Sequence, residues 1–156
     1  MTGSLTIASL ADHKDWLPTL ARWLENEWPD WYGPDGPGNA MDVLEEAAHR
    51  DRLPVAVIAL RGGVPCGISM LRRTDAAAAR TGYGPWVGGG LVPAELRGQG
   101  IGARLLAAME GEARRLGFAT IYSTRGAQRL LERCGWESVG TITHEGAPLS
   151  IYRKAT

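Results

Sequence analysis

Between Leu91 and Leu106 the chain reads LVPAELRGQGIGARLL, an arginine and three alternate glycines set between an apolar run and a helix-like run. Glycine loses more backbone freedom on folding than any other residue, so glycines where a helix should begin carry a cost. Some feature of the fold or of a ligand must need bare backbone there. A P-loop would need GxxxxGK followed by Ser or Thr, and no lysine follows a glycine in that way. A dinucleotide fingerprint is met only in its loose form, by Gly98, Gly100 and Ala103. PAELR separates that pattern from the preceding strand, and the acidic residue expected about 20 positions later falls in FATIYSTR, which has none. The reading that remains is a long helix whose first N–H groups, from Gln99 to Ala103, face an anionic phosphate. Those donors lack intrahelical partners and the helix dipole adds partial positive charge. Arg97 supplies a charge-assisted contact or fixes the loop, and Gly98 takes a turn conformation that a side chain would oppose.

The rest of the composition bounds what such a site serves. A length of 156 residues, 44% hydrophobic and 22% charged, fits one domain spanning residues 1–156 with a sizeable core. Seventeen basic residues balance seventeen acidic ones, which removes the electrostatic footprint of a general nucleic-acid binder. Cys66 and Cys134 form no metal spacing and no CxxC pair, and with three scattered histidines no metal site is expected. Asp12, His13, Lys14 and Asp15 interrupt any apolar signal core, and no later run reaches membrane-spanning length, so a cytoplasmic location off the membrane is expected.

The chain alternates between two periodicities. TIASL, Thr6 to Leu10, reads as a strand, and Asp12 is placed to cap a helix whose apolar face is Trp16, Leu17, Leu20, Trp23 and Leu24, ending near Glu27. Three prolines make the stretch from Trp28 to Asn39 a loop, with Trp28, Trp31 and Tyr32 either stapling it to the core or lining a cleft. MDVLEEAAHR follows as a second helix, then LPVAVIAL and VPCGISMLRR as a hairpin around RGG, with Val55, Val57 and Ala59 sharing a face. TDAAAARTGYG is a loop, and PWVGGGLV is a strand whose three glycines mark a bulge or a close approach. From Ile101 the stripe Ile101, Leu105, Met109, Ala113 and Leu116 gives a helix with a Glu110–Arg114 pair outside and Gly117 at its end. FATIYST is a strand, RGAQRLLERC a helix, and WESVGTITH with APLSIYRK a terminal hairpin turning at EG. The order of seven strands and four helices is mixed α/β.

The signature Q/R-x-x-G-x-G/A is matched by Arg97, Gly100 and Gly102 with a helix directly after it, and in this the chain resembles the GNAT N-acetyltransferase superfamily. RLLERCGWESVG is similar to the family's later tyrosine-containing segment, and ENEWP and EGAPLSIYRK are similar to stretches of small single-domain members. The resemblance implies a twisted mixed sheet whose fourth and fifth strands splay into a slot for acetyl-CoA. It implies that Leu91 and Val92 present backbone groups to the pantetheine arm, and that Arg97, Gly98, Gln99, Gly100, Ile101, Gly102 and Ala103 hold the pyrophosphate. It also implies a bulge in the fourth strand, at Gly89 or Gly90, whose N–H polarises the thioester carbonyl. The activity implied is direct acetyl transfer to a primary amine of a small molecule or peptide, with pairing of two copies compatible with the exposed aromatics.

Two departures bear on catalysis. The family's tyrosine near the CoA sulfur is replaced by Leu131, and the strand before the glycines has no carboxylate to act as base. Glu27 is the candidate to bind or deprotonate the amine, against a simpler reading as a solvated charge or a cap for Trp28. Tyr122 and Ser123 both lie near the slot, but alternation turns only one of them toward it. His144 reads as a surface residue of the last hairpin, and Cys134 as packing. The loss of the tyrosine keeps a second expectation alive, an acyl-CoA-binding sensor without transfer activity.

Overall fold

The computed structural model describes residues 3–75, 78–124 and 128–156. Seven strands form one sheet in the order β1-β2-β3-β4-β5-β7-β6. They are β1 Leu5–Ser9, β2 Val55–Arg61, β3 Val64–Arg72, β4 Trp86–Leu91, β5 Thr120–Ser123, β6 Glu137–His144 and β7 Ala147–Ala155. All neighbours are antiparallel except β4 and β5, which run parallel. The mixed, seven-stranded sheet expected from the sequence is therefore present.

β2 is the central plank. Its alternation is invisible as polarity because both faces are covered: Val55, Val57 and Ala59 enter one core, and Ala56, Ile58 and Leu60 the other. The first core is closed by α4, Ile101–Arg115, whose expected stripe is buried from Ile101 through Ala113. The second is closed by α1, Leu17–Glu27, and α3, Ala40–Ala47, which bury Leu20, Leu24 and Leu44 completely. α4 lies close on the sheet because Gly67 of β3 has no side chain. A Cβ there would stand 3.0 Å from both Ile101 and Leu105.

Local chemistry explains most boundaries. Gly62 and Gly63 both take positive φ in the two-residue turn of the β2–β3 hairpin, and Glu145 with Gly146 does the same between β6 and β7, which suits the twist of adjoining strands. α4 ends as expected at Gly117, φ 90°, with Phe118 N–H donating to Ala113 O and Gly117 N–H to Arg114 O.

Several expectations shift. The first helix starts not at Asp12 but at Leu17, after two 3-10 turns, because Pro18 fits only a first helical turn and would clash in an interior one. Ser9 caps the first of those turns, while Asp12 pairs with Arg50, whose hydrogen bond holds the Asp12 carboxyl below its usual value. The loop after Glu27 is shorter than expected, since Pro29–Tyr32 winds a further short helix, α2. Trp31 stays 55% exposed, whereas Tyr32 is buried against α1 and α3 and Trp28 is half-buried beside it. Glu110 pairs with Lys154 of β7 at 3.1 Å rather than with Arg114. The last helix, α5, spans Gln128–Arg133; the expected start at 125–127, and residues 76–77 of the expected loop, lie outside the described residues.

β4 carries the one irregularity that opens the sheet. Ile68 pairs with Leu91 but Met70 pairs with Gly88, so β4 holds one residue more than β3 across Ser69. Gly89 absorbs it at φ 72°, and Gly90 lies so close to β3 that a Cβ on it would overlap the Ile68 carbonyl oxygen and stand 2.6 Å from Ser69 Cα. Gly88, by contrast, has open space at its Cβ position. Gly90→Ala is therefore expected to lower stability by about 2 kcal/mol, and Gly88→Ala by less than about 0.5 kcal/mol; urea denaturation of the two variants measures the difference.

Candidate functional site

β4 and β5 share a single register pair, Trp86 with Tyr122, and part beyond it. Ser123 Oγ donates to Val87 O at 3.2 Å across the last point of approach. Above that bond the strands enclose a cleft of ≈ 1210 Å³ that runs from β4 residues 87–92 to the start of α4 and on to α5. Its walls are mostly apolar, with a few polar groups converging on it, the usual constitution of a ligand site.

The cleft collects most of the residues singled out in the sequence. Glu27, Leu91, Val92, Arg97, Gly98, Gly100, Ile101, Gly102 and Ala103 all line it; Gln99 does not, its side chain turning outward to accept from Arg61 Nη1 at 2.7 Å. Gly98 and Gly100 have φ of 80° and 83°, and a Cβ on either would meet nothing in the protein within 4 Å. Their need for glycine is thus conformational on the protein side, and the space they leave belongs to the cleft. Gly100 is the residue before α4, and the first backbone bond into it comes from Arg104 N–H, at 3.3 Å. The N–H groups of Ile101, Gly102 and Ala103 precede the first turn's acceptors and are available to an anion in the cleft.

Arg97 and Glu27 meet. Arg97 Nη2 lies 3.2 Å from Glu27 Oε1, while its Nε donates to Val92 O at 2.8 Å. The two side chains are 52% and 40% exposed, so water screens the pair and it contributes at most about 1 kcal/mol. It links the end of α1 to the loop before α4, and neither partner is committed to it strongly.

The candidates for proton transfer sort clearly by strand geometry. Ser123 faces the cleft, and Tyr122 faces away, stacked on Tyr83 at 4.6 Å between ring centroids and 5.5 Å from Trp86. Leu131 is 3% exposed in the α4-side core, so that position supplies neither a proton nor a contact to the cleft. None of the four tyrosines lines the cleft: Tyr32 packs under α1, Tyr83 and Tyr122 stack together, and Tyr152 donates to Glu132 at 3.4 Å. Cys134 is half-buried in the cleft wall and packs against the core, whereas Cys66 is fully buried, and burial pushes its thiol above the ordinary range. His144 lies outside the cleft beside Glu145 in the last hairpin.

Two polar residues of the wall were not readable from spacing: Ser69 stands opposite the bulge, and Thr124 continues β5 and donates to Asp75 at 3.4 Å. Trp28, one of the aromatics expected to staple its loop or line a cleft, lines the cleft and packs partly against the core. The pleat alternation of β3 and β5 narrows which of their residues can face a slot, but the slot itself depends on the strands parting. Among the described residues no group of three His, Cys, Asp or Glu side chains is arranged to hold a metal, and no helix is long and apolar enough to cross a membrane.

Comparison with known proteins agrees with this geometry. No curated protein sequence matches the chain. Among solved structures, an aminoglycoside 6′-N-acetyltransferase from Enterococcus faecium superposes with a TM-score of 0.73 at 18% identity, covering 96% of each chain. An aminoglycoside 6′-N-acetyltransferase complexed with coenzyme A gives 0.73 at 16% identity over 96% of each chain. An N-acetyltransferase from Staphylococcus aureus Mu50 gives 0.69 at 18% identity, covering 98% of this chain and 99% of that one. Likeness at these identities speaks to the fold. The profile of the acetyltransferase (GNAT) family matches residues 18–136, from α1 through the bulged strand and the glycine-initiated helix to Trp136, and the chain belongs to that family.

Proposed function

We propose that residues 1–156 act as one acetyltransferase domain that moves the acetyl group of acetyl-CoA directly to a primary amine of a small molecule or peptide. The observation that carries this reading is the parting of β4 from β5 directly beside the N-terminus of α4. The β4 edge between Val87 and Val92, which β5 leaves unpaired, suits the amide groups of a pantetheine arm lying along it. The N–H groups of Ile101, Gly102 and Ala103, with Gly98 and Gly100 leaving room, suit the pyrophosphate. The family match and the neighbour with coenzyme A bound support the same cosubstrate.

In the transfer step the amine nitrogen attacks the thioester carbonyl carbon, the C–S bond breaks, and CoA leaves as the thiolate while the amine loses a proton. The bulge at Gly89–Gly90 turns backbone out of the ladder, where an N–H can stabilise the oxygen as it gains charge. A lysine-like amine of pKa about 10 arrives protonated, so a carboxylate must hold it and accept or relay the proton. Among the described residues Glu27 is the carboxylate in the cleft wall. Its partner Arg97 is the residue assigned to the incoming pyrophosphate, and a diphosphate competes well for a guanidinium held by so exposed an ion pair. Binding of the cosubstrate thereby turns Glu27 from Arg97 to the acceptor. Aminoglycosides, the substrates named for several neighbours, are small-molecule amines of this kind. The burial of Leu131 and the absence of tyrosine from the cleft wall favour one alternative, an acyl-CoA-binding module that does not turn over.

The first test is thermal unfolding with acetyl-CoA, CoA and NADH in parallel. At 100 times its dissociation constant a ligand adds about 2.7 kcal/mol to stability; a rise in Tm with both CoA species and not with NADH is expected, and no rise at saturation overturns the reading. Gly100→Val forces a branched residue to φ 83° and fills the space in front of α4; a folded variant with unchanged affinity for acetyl-CoA would remove the pyrophosphate from this loop. Glu27→Gln releases Arg97, so acetyl-CoA affinity should stay the same or rise by no more than about fivefold, while transfer to the amine falls by about 100-fold or more. Measuring thiol release and cosubstrate affinity on the same variant separates a transferring enzyme from the binding module, which shows no thiol release even before substitution.

A further inference from the structure

On the face of the sheet turned away from α4, the apolar packing is interrupted at the bulge. Leu71 and Val87 form a register pair in the α4 core, so the pairs on either side of it, Met70 with Gly88 and Arg72 with Trp86, face the other way. There Met70 belongs to the core under α1 and α3, and Trp86 to a separate small cluster with Ala78 and Ile151. Gly88 has open space where its Cβ would be, so neither cluster covers the strand between them. The side chain lying over the bulge is Arg72. A Cβ on Gly89 would overlap its Nη2 and stand 2.5 Å from Cζ and 3.1 Å from Nε, so the guanidinium fills the place of a side chain at that residue. Its hydrogen bond is a weak one, Nη2 donating to Met70 Sδ at 3.9 Å, and among the described residues Arg72 makes no ion pair. Asp75, the nearest acid in sequence, accepts from Thr124. A half-buried guanidinium that gives up water without gaining a carboxylate is costly unless a ligand supplies the anion.

We propose that Arg72 binds a carboxylate of the acceptor, which makes the substrate an amine that also carries a carboxylate, such as a free amino acid. This rests on the reading of the cleft as an acetyl-CoA site with the thioester carbonyl at the Gly89–Gly90 bulge, and adds to it the chemistry of the acceptor. With α4 on one face of that carbonyl, the amine comes from the other, where Glu27 and Trp28 line the wall and Gly88 leaves room. Two groups of opposite charge then serve the acceptor, Glu27 for the ammonium and Arg72 for the carboxylate. The planar fork of a guanidinium takes both oxygens of a carboxylate at once. A polycationic amine gains at Glu27 and is repelled at Arg72, which disfavours an aminoglycoside. Arg72 keeps its protons throughout, since a guanidinium is not deprotonated in proteins, so its part is recognition and not proton transfer. The competing role for Arg72 is to brace the bulge at Gly89. That role predicts the same loss for every acceptor and a weaker hold on acetyl-CoA.

Thiol release from acetyl-CoA, measured for the full chain with the common L-amino acids, with their amides and with kanamycin as a polycation, decides between them. Amino acids are expected to be acetylated and kanamycin not. Arg72→Ala should lower kcat/KM for the preferred amino acid by about 30-fold, mostly through KM, the worth of a hydrogen bond between charged groups. The matching amide, which lacks the anion, should change by less than about threefold. Arg72→Lys should retain part of the preference, and acetyl-CoA affinity, from titration calorimetry on the same variants, should stay within about twofold. Equal losses for the amino acid and its amide in Arg72→Ala make Arg72 a brace and overturn its role in recognition. Thiol release with kanamycin but with no amino acid, or with no amine at all from protein that binds acetyl-CoA, overturns the acceptor class while leaving the cleft assignment intact. Failure of the unsubstituted protein to bind acetyl-CoA overturns the cleft assignment and this proposal with it.

Discussion

The close approach of Gly90 to β3, which leaves no room for a Cβ against the backbone of Ile68 and Ser69, is the constraint on which the rest of this molecule turns. It is made where β4 carries one residue more than β3, with Gly89 at positive φ taking up the difference. A regular β4 would keep its ladder with β3 and run on beside β5. The bulged one bends, and β5 follows it for one pair before the two separate. Ser123 donating to Val87 O marks where cohesion stops and the cleft begins. The site is thus a defect in pairing that the surrounding cores hold open, with α4 clamped on one face and α1 and α3 on the other.

Clamping also sets the electrostatics. α4 can bring its N-terminus to the mouth of the slot because Gly67 lets the helix settle on β3 at Ile101 and Leu105. The same packing brings the end of α1 within 3.2 Å of the loop before α4, joining Glu27 to Arg97. One residue assigned to the acceptor and one assigned to the cosubstrate are therefore coupled before either ligand arrives. A weak, exposed pair suits such a role, because a strong buried one would resist exchange.

The periodic elements were legible because local pattern dictates them. The Ile101–Ala113 stripe, the two faces of β2, the two hairpin turns and the glycine stop of α4 all follow from spacing and turn chemistry. The start of α1 is not legible in the sequence, because Asp12 looks like a cap, while Pro18 limits where the helix can begin and Arg50, distant in sequence, takes the Asp12 carboxylate. Glu110 likewise has a good partner four residues on in Arg114, yet it meets Lys154 of β7, which only the docking of α4 on the sheet brings near.

What the sequence by itself determined is the glycine-rich entry to α4, the bulge-prone β4 and the family they signal, since these are written in residues that no other backbone conformation requires. What only the tertiary structure decided is which side chains share the cleft. Ser123 rather than Tyr122 faces it, Leu131 is sunk in the core, and Arg133, which lines it from α5, has no partner among the described residues. The physical reason is that backbone conformation follows from local sterics, whereas the meeting of α1, β3, β5 and α5 around one gap depends on how two cores pack against a sheet that parts in the middle.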